Sequence, residues 1–233
     1  MHDSSAAVET HSPALRHHFA DMEQQRDAAS LGMWLFLSTE IMFFGGLFCA
    51  YLIYRYLHFN DFAAASQTLD IRLGAINTGV LILSSLTVAL AVHAAQKGQR
   101  KPLVGYLLAT LVLGLVFLGI KGVEYADKFE HHHVPGPSFH FESVPVKGHA
   151  EMPPAESSHA ELFFSLYFAM TGMHALHMII GIGLFSVLTF FAWKGRYTPE
   201  YNTPIENAGL YWHFVDIIWI YLFPLLYLIS RHH

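Results

Sequence analysis

Five stretches of mostly apolar residues dominate the sequence, and each is long enough to cross a membrane. A helix of about 20 residues spans the hydrocarbon core of a bilayer, whereas a barrel strand needs about ten residues of alternating polarity. These stretches are continuous, and a helix satisfies its own backbone hydrogen bonds in lipid. The sequence therefore predicts an all-α, polytopic membrane protein, a bundle of five transmembrane helices. The predicted spans are roughly Leu31–Leu57, Leu73–Ala95, Pro102–Tyr125, Glu161–Trp193 and Leu210–Ile229.

Composition supports this class and excludes others. The chain is 53% hydrophobic and only 13% charged, against about 25% charged in soluble domains. It has no basic run suited to nucleic acid, so we expect no nucleic-acid partner. Its single cysteine, Cys49, cannot form an intrachain disulfide or a CxxC redox pair.

The polar segments outside the spans define the domain organisation. Residues 1–30 form a polar N-terminal arm, and residues 31–230 form the transmembrane domain, with a loop rich in His and Pro at about 128–160. Loop Lys and Arg residues modestly favour a cytoplasmic N-terminus and an outer C-terminus. The proposed cytoplasmic side carries Arg16, Arg26, Lys97, Arg100, Lys101, Lys194 and Arg196; the other side carries Arg55, Arg72, Lys128, Lys147 and Arg231.

Ionisable residues inside the spans are the candidate functional groups, because such residues rarely face lipid and pair with one another or line a wet cavity. They are Glu40, Glu124, His174, His177, His213 and Asp216. Their spacing is coherent, since His174 with His177 and His213 with Asp216 are i, i+3 neighbours on a helix. Networks of hydrogen bonds between helices would also explain these residues, including contacts with a partner chain.

A redox centre is the competing interpretation of the same histidines. His177 and His213 form the best pair for a b-type haem, and imidazole with carboxylate could hold a transition metal. Histidines three residues apart on one helix cannot lie on opposite faces of a haem. The loop histidines could bind surface metal, but a solvated loop is the simpler interpretation; they are His131, His132, His133, His140 and His149. We therefore predict no catalytic residue, no metal ligand and no cofactor-binding residue in this chain.

Five sequence segments, in order, resemble subunit III of the haem-copper terminal oxidases, most closely the cytochrome c oxidase type. They are GMWLFLSTEIMFFG, INTGVLILSS, GVEYADKF, TGMHALHMIIG and YWHFVDIIWIYLF. The resemblance implies a non-catalytic subunit of a bacterial inner-membrane complex that reduces O2 to water in aerobic respiration. It implies binding to subunit I, assembly with subunit II, support of proton uptake and oxygen access, and contact with phospholipid. Haem and copper are expected in the partner subunits. By this resemblance Glu40 is the family's membrane carboxylate.

One departure and several alternatives remain. The commonest family members have seven helices, and this chain matches the last five, so one arm of their lipid-holding cleft is missing or comes from another chain. Quinol oxidases and nitric oxide reductases have similar subunits. A haem-b anchor or a proton-linked transporter is the alternative from another class, although neither an inverted repeat nor a broken span is evident.

Two further expectations concern individual residues. Glu40 should be neutral, because burial disfavours the carboxylate, unless a histidine from another span pairs with it. Gly46 and Gly181 should lie on the interface with the catalytic subunit, because small residues let helices approach closely.

Overall fold

A computed structural model describes residues 15–130, 134–136, 139, 141 and 157–228, and the secondary structure of this part of the chain is helical. Five helices within it are long and apolar enough to cross a membrane, which confirms the predicted class. The loop histidines named above lie outside the described residues. The helices are α1 (Met22–Leu57), α2 (Phe59–Gln67), α3 (Ile71–Gln96), α4 (Arg100–Glu130), α5 (Ser157–Trp193) and α6 (Thr203–Phe223), which continues as a π-helical turn, Pro224–Leu228.

Most helices extend beyond the predicted spans, because polar residues continue them past the apolar segment. The helix α1 begins nine residues before Leu31, so the predicted boundary at residue 30 falls inside it. Its start is fixed by Asp21, whose side chain accepts a hydrogen bond of 2.7 Å from the backbone N–H of Gln24. Asp70 caps α3 in the same way, accepting from the N–H of Arg72 at 2.8 Å.

The short helix α2 was not predicted. It fills the connection between the first two spans and packs against α5. Its alanines, Ala63, Ala64 and Ala65, are almost completely buried, so this connection belongs to the packed body of the protein.

The helix α6 is the most buried of the spans and packs against α1, α3 and α5. Its Trp212 is fully buried, and the indole N–H donates to the Ser84 hydroxyl of α3 at 3.0 Å. A Cβ on Gly114 would lie 3.0 Å from the Trp212 ring, and a Cβ on Gly181 would lie 2.9 Å from it. The absence of side chains at these two glycines therefore lets α4 and α5 close around the ring.

This packing corrects the expectation for Gly181, which lies against α6 inside the bundle and not on an outer face. By contrast, a Cβ on Gly46 would meet nothing within 4 Å. The helix α1 is the least buried of the spans, and its outer side chains, such as Met42 and Ile53, are exposed. An outer apolar face on α1 is therefore retained, whereas the small residue at Gly181 serves internal packing.

Candidate functional site

Glu124 of α4 is the centre of a fully buried polar cluster. Its Oε2 accepts from the Lys121 ammonium, one helical turn earlier, at 3.0 Å. Its Oε1 accepts from the Tyr167 hydroxyl of α5 at 2.7 Å and from the Tyr227 hydroxyl, which follows α6. Lys121 and Glu124 are 3% and 2% exposed. The cluster thus ties three separate segments together inside the bundle.

The Lys121 ammonium is as well satisfied as the carboxylate. It also donates to the hydroxyl oxygens of Tyr167 at 3.3 Å and Tyr227 at 3.2 Å. The ammonium nitrogen lies 5.0 Å from the Trp219 ring centroid, a favourable cation–π distance. Pairing and full hydrogen bonding are what permit two charges to be buried. Because every group is satisfied within the bundle, this arrangement serves to hold helices together.

A second pair joins α1 to α5. His177 Nε2 lies 3.2 Å from Glu40 Oε2, and the His177 and Glu40 side chains are 10% and 19% exposed. This contact supplies the histidine partner that the sequence left open for Glu40. Unlike the Lys121–Glu124 cluster, the pair lies at the edge of the bundle, where its carboxyl is partly open.

The contacts of His177 fix how many protons the pair shares. Its Nδ1 lies 2.9 Å from the Met173 backbone oxygen, and because a carbonyl only accepts, Nδ1 carries a proton. The contact between Nε2 and Glu40 then needs one proton, on either atom. A neutral acid donating to imidazole and an imidazolium donating to a carboxylate both satisfy it. Both forms keep the same partners for His177 and Glu40.

The remaining candidates do not join either pair. His174 packs between Phe117 and Trp219, with ring-centroid distances of 5.5 and 5.2 Å, and neither of its nitrogens has a hydrogen-bond partner within the described residues. His213 Nδ1 lies 2.7 Å from the Ser85 hydroxyl of α3. Asp216 is 3% exposed, and its carboxyl interacts with the hydroxyl of Ser85 on α3.

The structure therefore separates the six candidates instead of building one site from them. His177 uses its two nitrogens toward α5 and α1, whereas His213 contacts α3. Ligation of a haem through His177 Nε2 would require breaking its contact with Glu40. Sequence reasoning did not predict the role of Lys121. It also missed Tyr167 and Tyr227, since tyrosines on other helices carry no local signal of a shared partner.

The structure is that of a multi-pass helical membrane protein with ionisable groups inside its bundle. It has five helices long enough to cross a membrane, the buried Lys121–Glu124 pair and the partly open Glu40–His177 pair. The family model of cytochrome c oxidase subunit III matches residues 14–142 and 151–231. The chain belongs to this family, whose members are subunit III of haem-copper oxidases.

Similar proteins fall into two named types. The cytochrome c oxidase subunit 3 of Thermostichus vulcanus is 31% identical over 206 residues, covering 88% of this chain and 89% of that protein. The probable cytochrome c oxidase subunit 3 of Nocardia farcinica is 32% identical over 200 residues, covering 86% and 87%. The cytochrome bo(3) ubiquinol oxidase subunit 3 of Pseudomonas aeruginosa is 29% identical over 199 residues, covering 85% and 84%. These coverages mean that all three have about the length of this chain.

Proposed function

We propose that the chain is the non-catalytic subunit III of a bacterial cytochrome c oxidase. In this role it binds subunit I directly, assembles with subunit II and supports proton uptake and oxygen access during O2 reduction. It lies in the inner membrane with its N-terminus in the cytoplasm and its C-terminus outside, and it contacts phospholipid. Haem and redox copper belong to the partner subunits; the contact of His177 Nε2 with Glu40 supports this division.

The observation that carries the proposal is the position of the Glu40–His177 pair at the edge of the bundle. Phe36 and Phe43, at i−4 and i+3 from Glu40, lie on the same side of α1, and both are exposed. An ionisable pair within a span is costly next to lipid and is normally covered by protein or lines a wet cavity. A second membrane subunit docked over this part of α1 satisfies that requirement.

Site-directed photo-cross-linking of the intact oxidase tests this docking face. Phe43→Cys in a Cys49→Ala background would be labelled with a thiol-reactive benzophenone and irradiated. We expect an adduct with the catalytic subunit. The matched control is Val112→Cys on α4, which is also exposed and should give lipid adducts only. If Val112→Cys captures the catalytic subunit and Phe43→Cys does not, the docking face is wrong.

A quinol oxidase subunit is the second candidate, and the Pseudomonas aeruginosa relative favours it. The two types differ in the electron donor of the whole complex. Purified oxidase should therefore be supplied separately with reduced cytochrome c and with a ubiquinol analogue. Turnover with cytochrome c supports the proposal, whereas turnover with quinol alone assigns the chain to the quinol type.

A further inference from the structure

Three side chains outside the two described clusters meet at the end of the bundle opposite the N-terminus. They are His58, which follows α1, Asp61 of α2, and His159 in the first turn of α5. One ligand atom from each lies within 4.8 Å of the other two. All three are partly exposed, so the cluster is open to ions from solution. Sequence reasoning did not find it, because 98 residues separate Asp61 from His159.

The ligand atoms of the cluster are of the kinds that a transition-metal cation prefers, imidazole nitrogen and carboxylate oxygen. His159 Nδ1 lies 2.8 Å from Asp61 Oδ2. The His58 and His159 rings are stacked, with centroids 3.6 Å apart and an interplanar angle of 28°. Neutral imidazole is the form of histidine that binds a metal.

We propose that His58, Asp61 and His159 bind a divalent transition-metal ion of the zinc type. Two imidazoles and one carboxylate are a familiar three-residue ligand set for Zn2+, with water in the fourth position. Zinc has no redox chemistry, so metal binding at this site does not depend on the proposed oxidase type.

To admit the ion, one of the two stacked imidazoles must turn, because the in-plane lone pairs of nearly parallel rings do not converge on one point. Bonds of about 2.0–2.1 Å in tetrahedral geometry place two ligand atoms about 3.3 Å apart. The metal would replace the proton between His159 and Asp61, and their ligand atoms would separate from 2.8 Å to about this distance. The ion would then join the end of α1, the helix α2 and the start of α5 at one point.

Zinc binding to the intact oxidase, first stripped with a chelator, tests the proposal. We expect wild type to bind one more Zn2+ per complex than His159→Asn and His58→Asn, and the affinity at this site to fall by about 100-fold or more, since even outer-shell changes cost about 10–100-fold. X-ray absorption of the difference site should show two imidazole ligands. Zn2+ should raise the unfolding temperature of wild-type subunit III and not that of the two variants.

Two controls separate this site from other histidines. His93→Asn removes an exposed histidine at the other end of the bundle and should leave zinc binding unchanged. Replacement of His131, His132 and His133 by Ala tests the His-rich loop. Equal zinc binding by wild type, His58→Asn and His159→Asn overturns the proposal, as does loss of zinc only in the loop variant. Asp61→Asn covers the case in which the histidine variants misfold, because it keeps the side-chain shape. It should also weaken zinc binding. An unchanged zinc affinity would mean that Asp61 is not a ligand.

Discussion

Removing either charge of the buried Lys121–Glu124 pair should destabilise the protein, and removing both should cost less than the sum of the two single losses. Glu124→Gln leaves the Lys121 ammonium without its counterion inside the bundle, and Lys121→Met leaves the carboxylate without its cation. Breaking a buried pair by removing one partner costs about 3–5 kcal/mol. A Coulomb attraction of about 5 kcal/mol, for an effective dielectric constant of about 20 and the observed 3.0 Å separation, has the same magnitude.

The double variant, Lys121→Met with Glu124→Gln, carries no unpaired charge. Its tyrosine partners can still bond to the glutamine amide. We therefore expect its free energy of unfolding to exceed the value predicted from adding the two single losses by about 2–3 kcal/mol, at the upper end for contacting residues. This coupling energy measures how strongly the two charges depend on each other.

Unfolding of each variant in mixed micelles of non-ionic detergent and SDS would give these free energies. Asp127→Asn is the matched control, because Asp127 contacts Lys128 at 3.1 Å but is 52% exposed; its loss should cost about 0–1 kcal/mol. Additive single and double losses, or single losses no larger than that of the control, would refute the description of the cluster as a coupled, buried ion pair.

Two further predictions concern Glu40 and the interior glycine. Glu40→Gln should preserve assembly, because its amide N–H can donate to His177 Nε2. It should nevertheless slow turnover of the oxidase or shorten its working lifetime. Normal turnover and lifetime would mean that the pair only holds α1 and α5 together. Gly181→Leu should destabilise the chain by about 1–3 kcal/mol through overpacking against Trp212, as measured by thermal unfolding. Gly183→Leu, where a Cβ meets nothing within 4 Å, should unfold like wild type.

The number of spans was predictable because the hydropathy of a transmembrane helix is a local property of about 20 residues. The helix ends were less so, since α1 starts at a cap, Asp21, outside the apolar stretch. The candidate groups were recognisable as costly residues in apolar surroundings. Their partners were not, because the meeting of Glu40 with His177 depends on how α1 and α5 are rotated against each other, which no local pattern records.

The carboxyls of Glu124 and Glu40 therefore differ in what their surroundings permit. Glu124 accepts from one ammonium and two hydroxyls, all almost fully buried, so a change in its charge would leave several groups unsatisfied at once. Glu40 has one partner and a partly open side chain, and either atom of the pair can hold the shared proton. A carboxyl that supports proton uptake must change its protonation at low structural cost. On this ground we expect Glu40, rather than Glu124, to be suited to a proton role in the proposed oxidase.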